Sequence, residues 1–188
     1  MAMKAKNNQQ EKETKMNPLT QFKKTSILLV ISALSLGVGS VLATPPSGIL
    51  SATVFARATS GFADPTDLQF RINVSGPGRE VIHVRNAEET VVQQIIIAPG
   101  GHTGWHSHPG PVVVVVKSGQ ISFYDGDDPT CTVRTLSAGE AFIDSGQGHV
   151  HIARNEGATN LELWATYFDV PPGGAFRIDA ASPGNCPF

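Results

Sequence analysis

Basic residues are scarce in most of this chain. From residue 44 onward it has one lysine, Lys117, and seven arginines against fourteen acidic residues, so this part has a net charge of eight minus fourteen, or −6. These basic residues form no cluster or stripe, whereas nucleic-acid binding depends on basic patches that contact phosphates. The sequence therefore argues against a nucleic-acid partner.

Long apolar runs are also rare, and the clearest one lies near the N-terminus. Two lysines precede an apolar run of about a dozen residues, which ends in small residues at Ala43. This layout is typical of a secretory signal peptide, and the run is short for a membrane span, which needs about 20 residues. We predict a signal peptide over residues 1–43, starting at the first methionine or at Met16. The protein would then be secreted or periplasmic; the alternative is a membrane anchor formed by an uncleaved leader.

Cysteine is nearly absent, with only Cys131 and Cys186 in the chain. An even number of cysteines in an exported protein favours a disulfide. That bond would tie the C-terminal tail, residues 171–188, to the rest of the domain, and two separate thiols are the alternative. Neither cysteine has a histidine or lysine close in sequence, so we do not predict a catalytic role for either.

Apolar stripes at helical spacing are missing after the leader. Instead, from residue 81 onward, short β-branched or aromatic segments alternate with turn-forming residues at intervals of about 8 to 12 residues. The segments are VIHVR, TVVQQIII, PVVVVVK, QISFY, CTVRTL, AFID, HVHIAR and LELWATYF. Residues 44–80 contain only one or two strand-like segments. The pattern predicts a single all-β domain, a sandwich or a small barrel.

Five consecutive valines occupy residues 112–116. Successive side chains of a strand point to opposite faces, so an uninterrupted apolar run predicts a central strand that is covered on both sides. We expect this strand to continue the one that carries the histidines just before it.

Histidine is the most unevenly distributed residue type. Five of the six histidines lie in two short segments. Within them, His106 and His108 are two residues apart, and so are His149 and His151. This spacing puts both side chains of a pair on one face of a strand, where two imidazoles can bind one metal ion. The spacing alone predicts a metal site built from two strand clusters.

Two motifs in this region resemble those of the cupin superfamily. The matching residues of the first motif are Gly100, His106, His108 and Gly119, and those of the second are Gly139, Gly148, His151 and Asn155. The resemblance implies a double-stranded β-helix, or jelly-roll barrel, over residues 81–170, with residues 44–80 as an N-terminal extension. It also implies a metal inside the barrel, a small-molecule ligand or substrate, and pairing of two copies as a homodimer.

The chain departs from the family where the first motif has a glutamate ligand. That glutamate would fall at Val112 or Val113, and three interpretations follow. In the first, three histidines alone bind the ion: His106, His108 and His151. In the second, a further histidine completes the set: His102 or His149. In the third, the barrel holds no metal. Asn155 would brace a neighbouring turn or a metal ligand.

A three-histidine site would keep the full charge of a divalent ion, which favours anionic or chelating substrates. The expected cofactor is a divalent transition metal such as Fe, Mn, Zn, Cu or Ni, and ligand type alone does not choose among them. By analogy with three-histidine family members, we expect a small-molecule dioxygenase or related oxidoreductase. The alternative is a non-enzymatic module that binds a small molecule or sugar, with or without metal.

Overall fold

The computed structural model describes residues 42–73 and 79–188. The predicted signal peptide lies outside these ranges, except for its last two residues. In the described ranges every regular element is a strand, and the prediction of an all-β fold is confirmed. No helix there is long and apolar enough to cross a membrane.

The described part of the chain contains twelve strands. They are β1 (Ser47–Arg57), β2 (Leu68–Asn73), β3 (Arg79–Val84), β4 (Glu89–His102), β5 (His106–Ser107), β6 (Val112–Ser118), β7 (Gln120–Asp125), β8 (Arg134–Ser137), β9 (Ala141–Asp144), β10 (His151–Arg154), β11 (Leu161–Val170) and β12 (Ile178–Asp179). Ten of them form one antiparallel sheet, and β2 pairs with β3 as a separate hairpin.

The ten-stranded sheet has two halves that face each other. One half has the order β1–β4–β11–β6–β9, and the other has the order β12–β5–β10–β7–β8. Arg154 of β10 pairs with His102 of β4, which joins the halves. Buried side chains from both halves form one hydrophobic core, in which Phe123 of β7 packs against Phe142 of β9. The site described below lies within this core.

The valine strand β6 is central but is not covered on both sides. It lies between β11 and β9, and three of its valines are buried in the core: Val112, Val114 and Val116. On the opposite face Val113 is half-buried and Val115 is 42% exposed. The prediction of two covered faces is therefore wrong. Among the described residues no second layer covers Val115 on the outer face of this half of the sheet, so the valines of β6 follow the alternation of a one-sided strand.

The expectation that β6 continues the histidine strand is also wrong. The segment Pro109–Gly110–Pro111 separates β5 from β6. β5 pairs with β10 and β12, whereas β6 pairs with β11 and β9, so the two strands lie in opposite halves of the sheet. Two prolines within three residues restrict the backbone and remove two amide donors, which explains why the chain turns a corner here.

Strands outside residues 81–170 also belong to the main sheet. β1 runs antiparallel to β4 along most of its length, and β12 pairs with β5. A disulfide joins Cys131 to Cys186, so the two cysteines are not separate thiols. Cys186 packs with Trp105, Tyr124 and Ile152 in a second apolar cluster. The disulfide thus holds the C-terminal tail against the strands that carry the histidines.

Candidate metal centre

β5 and β10 bring three histidines together inside the sheet. His106 lies directly opposite His151, and His108 follows the end of β5. The ring centroids are 4.3 Å apart for His106 and His151, 4.9 Å for His106 and His108, and 5.2 Å for His108 and His151. All three side chains are buried, and each offers a ligand atom within 4.8 Å of the others.

Backbone carbonyls orient two of the three rings. The Nδ1 atom of His106 donates to the carbonyl of Gly104 at 2.8 Å, and Nδ1 of His108 donates to the carbonyl of Phe176 at 2.7 Å. Since Nδ1 carries the proton in each ring, Nε2 keeps the lone pair that binds a metal. Gly104 has a φ of +72°, and a Cβ atom there would lie 2.2 Å from the carbonyl oxygen of Thr44, so this turn requires glycine.

Burial keeps the three imidazoles neutral. Loss of hydration lowers the pKa of His106 and of His151 well below the usual histidine value, and it also lowers the pKa of His108. The positive charge of Arg177 lowers the pKa of His106 and His108 further. The neutral imidazole is the form that binds a metal ion, so the rings are in the ligating state at neutral pH.

A buried carboxylate, Asp144 at the end of β9, faces this cluster. Its Oδ2 atom lies 3.9 Å from Nε2 of His108, and its Oδ1 atom lies 3.7 Å from Nδ1 of His151. Oδ1 also accepts a hydrogen bond from Nδ1 of His149 at 3.1 Å. Burial alone would raise the pKa of Asp144, but the hydrogen bond from His149 and the nearby histidines outweigh it, and the pKa is lowered.

Asp144 was not among the site residues predicted from the sequence. The available signal was weak: Phe142 and Asp144 are two residues apart in the short strand AFID, so both side chains belong to one face. Phe142 is buried in the core, and an aspartate on the same face is therefore directed inward. Which histidines it meets there depends on long-range strand pairing, which the local sequence does not reveal.

His149 and His102 both lie outside the three-histidine cluster. Nε2 of His149 donates to Oδ1 of Asp125 at 2.7 Å, while Nδ1 donates to Asp144. These two carboxylates raise the pKa of His149 to about 10, so the ring is a cation without a free lone pair. Nδ1 of His102 accepts a hydrogen bond from the Gly104 amide at 3.1 Å, and His102 joins none of the potential metal-binding groups in the described ranges.

Asn155 braces the backbone near the site. It is fully buried, and its Nδ2 atom donates to the carbonyls of Ile97 and Thr159, each at 2.8 Å. Its Oδ1 atom accepts from the Gly157 amide at 3.1 Å. These bonds fix β4 and the turn that leads to β11, and none of them goes to a clustered histidine.

The residues present fit a transition-metal ion. A small interior cavity of about 40 Å³ is lined by the three histidines and Asp144, together with core side chains. Two buried polar atoms in it have no hydrogen-bond partner, Nδ1 of His151 and Oδ2 of Asp144. Buried polar atoms are ordinarily satisfied, and imidazole nitrogens beside a carboxylate oxygen are a donor set that suits a divalent transition metal.

A more open cavity of about 330 Å³ borders His106 and His108. Its walls are largely apolar and include Ile49 of β1 and Phe176 of the tail, while its polar side chains include Arg177. A larger surface cavity of about 490 Å³ lies along residues 59–66 and contains none of the histidines. Of these two cavities, the 330 Å³ cavity is therefore the one that borders the histidine cluster.

Much of the chain is similar to a known protein family. Residues 93–171 match the family model described as the cupin domain. The chain contains a cupin domain. This match confirms the resemblance of the two motifs to those of the cupin superfamily. The sheet with two facing halves is accordingly the double-stranded β-helix that the resemblance implied.

Solved structures with a similar fold include proteins of several kinds. An uncharacterized conserved protein with a double-stranded β-helix domain from Klebsiella pneumoniae subsp. pneumoniae MGH 78578 is 28% identical, with a TM-score of 0.40 over 48% of this chain and 74% of that chain. A cupin-like protein from Thermotoga maritima is 22% identical, with a TM-score of 0.40 over 50% and 65% of the two chains. An oxalate oxidase is 24% identical, with a TM-score of 0.38 over 43% of this chain, and the match spans only 41% of the oxidase. No curated protein matches the chain.

Proposed function

We propose that this cupin domain binds a divalent transition metal through His106, His108 and His151 and holds a small organic ligand beside it. The observation that carries the proposal is the convergence of three buried, neutral imidazoles, among them His151 with an unpartnered Nδ1, beside an unpartnered oxygen of Asp144. The candidate ions are Fe, Mn, Zn, Cu and Ni, all of which bind imidazole nitrogen.

The ligand that suits the cavity is a small organic anion with an apolar body. The cavity volume of about 330 Å³ lies at the lower end of the range for small-molecule sites, about 300 to 1,000 Å³. Its apolar walls match an apolar body. Arg177 adds a positive charge at the cavity, and its guanidinium is held by the Thr103 carbonyl at 2.6 Å and by Asp179 at 2.8 Å. A metal cation and a guanidinium together favour an anionic group.

A hydrogen-bonded pair in the cavity supplies further polar contacts. The hydroxyl of Tyr167 donates to Oε1 of Gln93 at 2.8 Å, and both residues line the cavity. Burial raises the pKa of Tyr167, so the hydroxyl stays protonated. The ring of Tyr167 also packs between His108 and Phe176, with centroids 5.1 and 4.8 Å apart. The pair would orient the ligand and keep the ring of His108 in place.

The activity we propose is that of a dioxygenase-like oxidoreductase. A bound transition metal would supply Lewis-acid chemistry and, where redox-active, the capacity to react with oxygen. Support comes from the 330 Å³ cavity, which His106 and His108 both border. A ligand in that cavity would lie beside the metal-binding histidines. The apolar walls of the cavity would exclude water, and Arg177 would orient the ligand. A binding module without catalysis is the alternative that the experiments below distinguish.

Metal content tests the first part of the proposal. Protein without a histidine tag, wild type and His106→Ala/His108→Ala, is purified identically and analysed by plasma mass spectrometry. We expect about one transition-metal ion per wild-type chain and none in the variant. If the wild type is as empty as the variant, even after anaerobic reconstitution with Fe, Mn, Cu, Ni and Zn, the proposed function is wrong.

Oxygen consumption and ligand binding test the second part. The metal-loaded protein is mixed with a panel of small aromatic and aliphatic carboxylates, and oxygen uptake is followed beside calorimetric binding. The matched variant Arg177→Met should bind metal normally and bind the carboxylate about 10- to 100-fold more weakly, because a charged hydrogen bond is lost. Binding without oxygen uptake would identify a binding module, and a panel that neither binds nor reacts would contradict the proposed ligand class.

A further inference from the structure

We propose that Asp144 is a fourth protein ligand of this centre, supplied by a strand that carries none of the histidines. The inference rests on the proposed function, since it needs an ion at the three-histidine cluster. It identifies a residue that the histidine pattern does not contain. It also changes the charge of the centre, because an aspartate carboxylate brings one negative charge to an ion otherwise held by neutral rings.

The strand register places Asp144 where the carboxylate is needed. Asp144 of β9 is the direct pairing partner of Val112 of β6. Val112 is one of the two positions at which the first motif would carry its glutamate, and it is buried in the same interior. A carboxylate therefore reaches this part of the barrel from the neighbouring strand. Only 4% of Asp144 is exposed, so its side chain has no alternative position in solvent.

The two oxygens of Asp144 have different surroundings. Oδ1 is engaged by His149. Oδ2 is buried, has no hydrogen-bond donor, and lies 3.9 Å from Nε2 of His108. Because Nδ1 of His108 is committed to a backbone carbonyl, Nε2 is the atom of that ring which faces the ion. The unpartnered oxygen thus shares the ion-facing side of the cluster, and a buried carboxylate oxygen without a donor is costly unless a cation compensates it.

His149 fixes the carboxylate from the opposite side. It donates one ring nitrogen to Asp144 and the other to Asp125, whose side chain is 43% exposed. This chain of contacts holds Oδ1 and restricts rotation of the carboxylate, which keeps Oδ2 directed into the small cavity. His149 is therefore a positioning residue for Asp144, and of these two residues Asp144 is the one that would contact the ion.

Zinc affinity separates the ligand from its positioning residue. The dissociation constant for Zn²⁺ is measured by competition with a chromophoric chelator for the wild type, Asp144→Asn and His149→Gln. Asp144→Asn keeps the size of the side chain and removes its charge, and we expect binding to weaken at least about 10- to 100-fold. His149→Gln loosens the hold on Oδ1 but keeps the carboxylate and its charge, so its affinity should fall by clearly less than that of Asp144→Asn.

Two results overturn the assignment. One is an Asp144→Asn affinity within about threefold of the wild type, and the other is an equal loss in His149→Gln. If the wild type binds no more zinc than His106→Ala/His108→Ala, the proposed function itself is wrong. This result is distinct from the two that refute only the role of Asp144.

Infrared spectroscopy provides a readout that does not depend on the stability of a variant. The spectrum of metal-free wild type is subtracted from that of the zinc-loaded protein. Coordination of Asp144 shifts the carboxylate stretching bands, so we expect these bands in the wild type and in His149→Gln and their loss in Asp144→Asn. A wild-type difference spectrum without carboxylate bands contradicts the assignment, even if Asp144→Asn fails to fold.

Discussion

The disulfide should supply a large part of the folding free energy of this domain. Cys131 and Cys186 are 55 residues apart in sequence. A cross-link over a loop of that length restricts the unfolded chain by an amount worth about 4 kcal/mol at 25 °C. The double variant Cys131→Ser/Cys186→Ser should therefore be less stable by about that amount. The loss also removes Cys186 from the apolar cluster around Trp105 and Ile152, so little compensation is expected from packing.

Urea unfolding under non-reducing conditions measures this effect. The free energy of unfolding falls by about 2 kcal/mol per molar urea, so a loss of about 4 kcal/mol of stability lowers the urea midpoint by about 2 M. Tryptophan fluorescence follows the transition, and far-ultraviolet circular dichroism checks that both probes give the same midpoint. If the variant does not fold, unfolding of the wild type with and without reductant gives the same comparison; if it does fold, reductant should leave its midpoint unchanged. A double variant within about 0.5 kcal/mol of the wild type would refute the reasoning.

Four further substitutions follow from the surroundings of single residues. Gly104→Ala should destabilise the protein by at least about 1 to 3 kcal/mol and weaken zinc binding, because its Cβ would meet the carbonyl oxygen of Thr44; unchanged thermal unfolding and zinc affinity would contradict this account of the turn. Val114→Ala should cost about 2 kcal/mol, and Val115→Ala on the exposed face less than about 0.5 kcal/mol; equal costs in urea unfolding would contradict the one-sided burial of β6. Asn155→Ala removes the bonds of a fully buried amide to the carbonyls of Ile97 and Thr159 and should cost about 2 to 4 kcal/mol; zinc affinity should change far less than stability in this variant, and the reverse order would mean that Asn155 acts on the metal.

Local patterns in the sequence were sufficient for the all-β fold and for the pair His106 and His108, whereas the choice of His151 over His149 came from the resemblance of the second motif. Turn-forming residues at regular intervals predicted the all-β fold, and the spacing of His106 and His108 predicted rings on one side of the chain. Both predictions use residues that are close in sequence. In particular, side chains alternate between the two faces of a strand, so residues two positions apart share a face. The match of residues 93–171 to the cupin domain agrees with the motifs that contain these histidines.

Two features depended on long-range geometry and were missed. The two prolines between β5 and β6 turn the chain into the opposite half of the sheet, and the run of five valines obscured this corner. The proximity of Asp144 to His108 results from the pairing of β9 with β6. Nothing in the local sequence of β9 specifies that register, so a carboxylate thirty-six residues beyond His108 is visible only in the folded chain.

The position of the ion itself tests the central claim most directly. The measurement is an anomalous difference map from a crystal of the zinc-loaded protein, collected on both sides of the zinc absorption edge. The account predicts one strong peak about 2.0 to 2.1 Å from a ring nitrogen of each of His106, His108 and His151, with Oδ2 of Asp144 as the nearest carboxylate oxygen. A map without a peak among these three rings, or with its peak at His149 and Asp125 instead, would contradict the account.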